Sequence, residues 1–168
     1  MKAGSSLILV TGASGFIGRA LCRSLVQLGY HVRGLVRSVP KEPLQGVDYV
    51  RMGSFDDICE GVSSIVHLAG AAHGKSGDSR EALDANNVVL TEALAKAAIE
   101  ARVGRFIFVS SIGVNGSQTH GSPITDASPE MPSEPYAESK LEAEKRLVAA
   151  LDGSATAYTI VRPPLVYG

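Results

Sequence analysis

Two side chains in "SEPYAESKLEAEK" have the types and spacing for proton transfer: Tyr136 and Lys140, four residues apart in a run of strong helix formers. On a helix that spacing puts both on one face. A free phenol has a pKa of ~10 and is a poor base at neutral pH. An ammonium group beside it stabilises the phenolate and lowers that value. Such a pair can move a proton to or from an alcohol while a cofactor takes or gives hydride. Tyr and Lys at this spacing also occur on ordinary helix surfaces, so a third group is needed. Ser110 and Ser111 end an apolar run, and Ser111 lies 25 residues before Tyr136. Its hydroxyl could hydrogen-bond a substrate oxygen and the phenol. The plainer alternative is capping at a strand end.

A second set of residues has the form of a phosphate cradle. "ILVTGASGFIGRAL" carries Gly12, Gly15 and Gly18 directly after an apolar run. The pattern is G-x-x-G-x-x-G rather than the standard G-x-G-x-x-G, but the physics is related. Gly12 permits a tight turn off the strand. Gly15 lets a pyrophosphate approach the start of a helix, where free N–H groups and the dipole favour anions. Gly18 lets the helix pack close to the strand, and Ser14 could add a hydroxyl contact. Glycines serving packing alone are the alternative; their place between the first strand and the first helix favours the cradle. Strand two, "HVRGLVRS", ends in Arg37 with Arg33 upstream and no acid. An acid there would bind the ribose hydroxyls of NAD, whereas an arginine suits the 2′-phosphate of NADP. NADP is therefore expected over NAD, a solvated arginine being the bland reading.

These residues need elements to hold them. Apolar runs at Leu7–Val10, His31–Val36, Val47–Val50, Ser64–Leu68, Arg105–Ser110 and Tyr158–Val161 read as strands. Helical spacing over Phe16–Leu28 puts Phe16, Ile17, Ala20, Leu21, Leu25 and Leu28 on one broad face, and Gly29 ends it. Ala82–Ala101 and Tyr136–Leu151 read as longer helices. Strands alternating with helices mean βαβ units and a parallel sheet, an α/β fold. Residues 113–135 are rich in Gly, Ser and Pro and read as a long loop. A loop that long is usually functional, and it follows strand five at the carboxyl edge, where open α/β sheets bind ligands.

Bulk composition narrows the class. With 168 residues, 45% hydrophobic, 20% charged and a net charge of −1, the chain suits one globular domain. The 16 Lys and Arg are scattered, which argues against a nucleic-acid surface. Cys22 and Cys59 form no C-x-x-C pair, so no metal site is expected and buried reduced thiols are. The start "MKAGSSLILV" is too short in its apolar part for a secretory signal, and no run reaches membrane-spanning length. A cytoplasmic protein is the default. His67 lies in an apolar strand and reads as a packed residue rather than a base; His73 and His120 fall in loops. "ESKLEAEKR" reads as a solvated helix face.

"TGASGFIG", "VSS", "YAESK" and "VRPPLVYG", in this order and spacing, resemble the extended short-chain dehydrogenase/reductase family. The nearer likeness is to its NAD-dependent epimerase/dehydratase branch, which acts on nucleotide sugars. The resemblance implies a Rossmann-type doubly wound parallel sheet of order 3-2-1-4-5-6 in a three-layer α/β/α sandwich. It implies Ser111, Tyr136 and Lys140 as the catalytic triad. For the cofactor it implies Gly12, Ser14, Gly15, Phe16, Ile17 and Gly18 of the turn, with Arg37 at the end of strand two. Leu68, Ala69 and Gly70 of "HLAG" match the loop over the adenosine half, and Asn87 of "ANNVVLTEAL" a residue lining the site. Tyr136 and Lys140 also belong to that cofactor set, and Arg162–Pro163 match the segment near the nicotinamide. In the family the helices over 82–101 and 136–151 pair two copies, so a homodimer is implied.

Some positions depart from the family pattern. Gly53–Ser54 stands where many relatives carry Gly-Asp to hold the adenine. Ile112–Gly113 stands where sugar dehydratases carry an Asp-Glu pair, so dehydration is not expected. "SSIGVNG" is similar to the branch working on acetamido sugars. An epimerase or reductase acting on a nucleotide sugar, a UDP-sugar first, through a 4-keto intermediate is the reading that remains. A carbonyl or dihydroflavonol-type reductase, which Arg37 would suit, is one alternative. A dinucleotide-sensing module is the other, but such proteins typically lose the Tyr or Lys that this chain keeps. Family members run beyond strand six into a smaller domain that grips the sugar nucleotide. Residues 1–168 therefore read as a dinucleotide-binding domain truncated after strand six, with the substrate domain absent and poor turnover expected. No metal, nucleic acid or membrane is expected at the site.

Overall fold

The computed structural model describes residues 6–70, 79–119 and 121–167. Six strands form one sheet: β1 Leu7–Thr11, β2 His31–Val36, β3 Val47–Arg51, β4 Val62–His67, β5 Arg105–Val109 and β6 Ala157–Val161. Their order is β3-β2-β1-β4-β5-β6, every pairing parallel. The expected fold class and strand order are those observed.

Alternation along β1 builds the layers. Ile8 and Val10 point to one face, where they pack with Cys22 and Leu25 of α1 (Phe16–Gln27). Leu9 points to the other, into a larger core with Ile65 of β4 and Phe106 and Phe108 of β5. That core is covered by α2 (Phe55–Cys59), α4 (Leu90–Glu100) and α5 (Pro135–Leu151). Because the strands run parallel, all their carboxyl ends lie along one edge. The chain leaves β1 toward β2 and β3, then crosses back to place β4 on the other side of β1. Ligands bind at such a switch point in open α/β sheets. Thr11, which ends β1, is in register there with Leu35 of β2 and with His67, the last residue of β4.

Three features lay beyond the periodicity. The short helix α2 follows β3, with Ser54 at its N-terminal boundary and Asp56 and Asp57 in its first turn. The helix expected over 82–101 is built in pieces: α3 (Arg80–Leu83), a π turn over Asp84–Val89, then α4. Over six residues the apolar spacing does not distinguish a π turn from an α turn, so spacing does not reveal it. The long loop opens with a 3₁₀ turn, Ile112–Asn115, held at its start by the Ser111 hydroxyl. Cys22 and Cys59 are both buried free thiols, pushed up to about 11 by burial, as expected for reduced core cysteines.

Candidate cofactor and catalytic site

At the switch point the glycine turn follows from backbone sterics. Gly12 has φ +68°, a conformation that side chains disfavour, and a Cβ there would meet the Ala69 backbone nitrogen at 3.0 Å. A Cβ on Gly18 would run into the Gly12 carbonyl oxygen, which is backbone and cannot yield. These two glycines bring α1 against the end of β1. Gly15 caps α1, whose first turn holds no acid, so its free N–H groups keep their attraction for an anion.

A cleft of about 600 Å³ opens beside this turn. Gly12, Gly15, Phe16, Ile17 and Gly18 form one wall. Leu68 and Gly70, following β4, form the next. Across from them stand Ser111 at the end of β5, Tyr136 and Lys140 on α5, and Pro163 after β6. Thus most of the expected site residues, drawn from five separate stretches of chain, meet in one cavity. Four do not line it. Ser14 and Arg37 are exposed and stand outside its lining. Ala69 lies behind, donating its N–H to the Thr11 hydroxyl at 3.0 Å. Asn87 is buried beneath, with Oδ1 against Gly70 and Nδ2 donating to the Ser139 hydroxyl at 2.9 Å. His73 and His120 lie outside the described residues.

The catalytic candidates have distinct environments. Lys140 is 3% exposed, and its Nζ lies 4.2 Å from the centre of the Phe108 ring. Burial pushes its pKa down to about 8, while Glu144 one turn along pulls it upward. It is therefore charged at neutral pH but can lose its proton at modest cost. Burial pushes the Tyr136 phenol above its ordinary value. That is the reverse of the lowering expected from Lys140, because burial of the phenol outweighs the neighbouring charge. The Ser111 Oγ accepts the Gly113 N–H at 3.1 Å, so the capping role is real. A hydroxyl can accept and donate together, so its hydrogen is still available to a ligand oxygen.

His67 is fully buried between Thr11 and Thr91 and stacks on Phe108 at 5.5 Å. Burial first, and the Lys140 charge second, push its pKa down to about 3. It is neutral and packed, as the sequence reading expected.

Arg162 differs from its expected place. Pro163 lines the cleft, but the Arg162 guanidinium turns away to Glu144 (Nε to Oε1, 3.0 Å), Asn115 (3.2 Å) and Glu130 (2.8 Å). It ties the long loop to α5 directly behind Lys140. Nothing in the spacing of these four residues marks them as a cluster. Among the described residues, no His, Cys, Asp and Glu group could hold a metal, and no helix is long and apolar enough to cross a membrane.

Residues 8–168 match the profile described as the NAD dependent epimerase/dehydratase family. The chain belongs to that family. It is 38% identical over 170 residues to the UDP-glucose 4-epimerase of Vibrio cholerae, covering 96% of this chain and 52% of that protein. It is 35% identical over 173 residues to the 2-alkyl-3-oxoalkanoate reductase of Stenotrophomonas maltophilia (strain K279a), covering 96% of this chain and 51% of that one. Among solved structures, MoeE5 in complex with UDP-glucuronic acid and NAD superposes with a TM-score of 0.84 at 27% identity, over 92% of this chain and 53% of MoeE5. The chain spans about half the length of the curated relatives it matches.

Proposed function

We propose that residues 1–168 are the dinucleotide-binding and catalytic part of an epimerase or reductase that acts on a nucleotide sugar, a UDP-sugar first. One observation carries the reading: Ser111, Tyr136 and Lys140 open onto the same cleft as a glycine turn whose helix start is free of acids. The residues fit a dinucleotide. The space a Cβ would fill at Gly18 is what allows the turn to sit tight enough to cradle a pyrophosphate. Gly12, Gly15 and the N-terminus of α1 would hold the phosphates, and Leu68 and Gly70 the adenosine side. A nicotinamide ring bound beside Tyr136 supplies the hydride acceptor and donor.

Tyr136 takes the proton from a sugar hydroxyl as that carbon becomes a ketone, and returns it in the reverse step. The Lys140 ammonium favours the phenolate, offsetting the burial that otherwise keeps the phenol protonated. Ser111 donates its hydroxyl hydrogen to the reacting oxygen. Ile112 and Gly113 line the cleft where an elimination reaction would need acids, which supports epimerisation or ketone reduction over loss of water. Regions that would select the sugar lie, on this reading, outside residues 1–168.

Arg37, with no acid at the end of β2, supports NADP over NAD for this chain. The family description and the MoeE5 complex carry NAD. A homodimer in the cytoplasm completes the reading; Val89, 61% exposed on the π turn beside α4, supports pairing through the 82–101 and 136–151 helices. A second reading, reduction of a small ketone without a nucleotide, is favoured by Arg37 and by the likeness to an oxoalkanoate reductase. Turnover of UDP-sugars against 3-oxo acids by the intact protein separates the two. Tyr136→Phe should abolish turnover while dinucleotide binding is retained, and unchanged turnover in that variant would refute the catalytic role.

A further inference from the structure

A buried chain of hydrogen bonds runs from the cofactor side of the cleft to the catalytic helix. The N–H groups of Leu68 and Ala69 donate to Thr11 Oγ1 at 3.1 and 3.0 Å. Thr11 Oγ1 lies 2.6 Å from His67 Nδ1, and His67 Nε2 lies 2.9 Å from Thr91 Oγ1. Thr91 donates to the Asn87 carbonyl at 2.5 Å. Asn87 Nδ2 donates to Ser139 Oγ at 2.9 Å, and Ser139 donates to the Tyr136 carbonyl at 2.7 Å. Thr11, His67, Thr91, Asn87 and Ser139 are each at most 1% exposed.

The polarity of the chain is set at both ends. Thr91 gives its only hydrogen to a carbonyl, so it can only accept from His67. His67 therefore carries its proton on Nε2, and Nδ1 accepts from Thr11. Thr11 in turn uses its lone pairs for two backbone N–H groups. From the Leu68 and Ala69 N–H groups to the Asn87 carbonyl every bond points the same way, which strengthens each by polarisation. The link to Asn87 falls inside the π turn Asp84–Val89. A π turn takes one residue more than an α turn, and one residue is about 100° of helix rotation. The turn thus decides whether the Asn87 side chain reaches Gly70 and Ser139 or faces elsewhere. Thr91, held by His67, pins the Asn87 carbonyl in that register.

We propose that His67, as the Nε2–H tautomer, is a positioning residue that couples the dinucleotide-binding loops to Asn87 and to the helix carrying Tyr136 and Lys140. The inference rests on the proposed function. A packed histidine of no consequence is the alternative, and the two differ in what its removal changes. Without the ring, Thr11 keeps both N–H donors, so the loop over the adenosine half is preserved. Thr91 loses the donor that fixes it, so Asn87 and the nicotinamide side of the cleft are released.

The test uses the intact protein. Imidazole nitrogen NMR should show His67 as the Nε2–H tautomer, not titrating between about pH 5 and 8. An Nδ1–H tautomer, or titration in that range, overturns the proposal whatever the variants do. Binding of NAD, NADP and ADP-ribose is then measured for wild type, His67→Leu, His67→Gln and Thr91→Val. His67→Leu and Thr91→Val should each weaken the favoured dinucleotide by about tenfold while ADP-ribose changes by less than about threefold. The double variant should bind no more weakly than the worse single, and His67→Gln should recover part of the loss. Equal losses for dinucleotide and ADP-ribose, or multiplying losses in the double variant, overturn the coupling and leave the proposed function standing. A wild type that binds neither dinucleotide overturns both.

Discussion

Lys140 places its ammonium nitrogen 4.2 Å from the centre of the Phe108 ring, and that ring also stacks on His67 at 5.5 Å. A buried cation rests on an aromatic floor rather than on a carboxylate. The acid that draws on its charge, Glu144 one turn along the helix, is engaged by Arg162. Lys140 therefore keeps a charge that is available to Tyr136 instead of being neutralised by a direct partner.

That burial makes Lys140 a source of pH-dependent instability. Its pKa falls from 10.5 to about 8 on folding. Between those values the unfolded chain binds more protons, so stability rises with pH across the window. Below about 8 the folded state bears the full cost of a buried charge, on the order of 3 kcal/mol. Lys140→Met should therefore be more stable than wild type near pH 7, with the gap closing toward pH 10. Chemical denaturation at several pH values measures it, and a gap that is absent or grows with pH would contradict the assignment.

Gly18→Ala should be among the most damaging of small substitutions. The added Cβ meets the Gly12 carbonyl and the Ala13 backbone. Overpacking of this kind costs about 1–3 kcal/mol or more, because no flexible side chain can move aside. Equilibrium unfolding in urea should show that loss, together with weaker dinucleotide binding from a displaced turn. Gly29→Ala is a useful contrast: nothing lies within 4 Å of its Cβ, and only its φ of +85° opposes the change.

Arg162→Met should expose the value of the cluster behind α5. Glu144 is 4% exposed and would be left as an unpaired buried carboxylate, while Arg162 itself is 21% exposed. Breaking such a pair costs about 3 kcal/mol, the low end for buried pairs because of the arginine's partial solvation. Glu144→Gln with Arg162→Met should recover much of the loss, since the stranded charge is removed. A thermal-shift series over the two singles and the double reads this directly.

Arg37→Asp tests the nucleotide preference. An acid at the end of β2 accepts hydrogen bonds from ribose hydroxyls and repels a 2′-phosphate. The ratio of NADP to NAD affinity should fall by about tenfold or more in the variant. Equal affinity for the two in the unmodified chain would remove the basis for preferring NADP.

The fold class and most of the cleft were legible because they depend on short-range signals. "LILV" and "FIFV" are continuously apolar, as strands buried on both faces require. The glycine spacing is local to one turn, and Tyr136 and Lys140 share a helix. The misses have a common cause. The π turn at Asp84–Val89 changes helix register within too few residues for apolar spacing to show it. The direction of the Tyr136 shift is not legible in the sequence because only its charged neighbour, not its burial, is visible along the chain. Arg162 and Pro163 together match one family segment, yet one backbone step turns adjacent side chains to opposite sides.

By itself the sequence determined which groups could do chemistry and which elements would carry them, since residue type, periodicity and turn preference are properties of neighbours along the chain. Only the tertiary structure decided that Ser111, Tyr136, Lys140 and the glycine turn meet in one cleft, because strand order brings distant residues to the same edge of a sheet. It also decided the partners of His67, Asn87 and Arg162. The side-chain hydrogen bonds described for these three residues join positions 18 to 56 apart, and which polar groups are buried together is settled by packing rather than by local propensity.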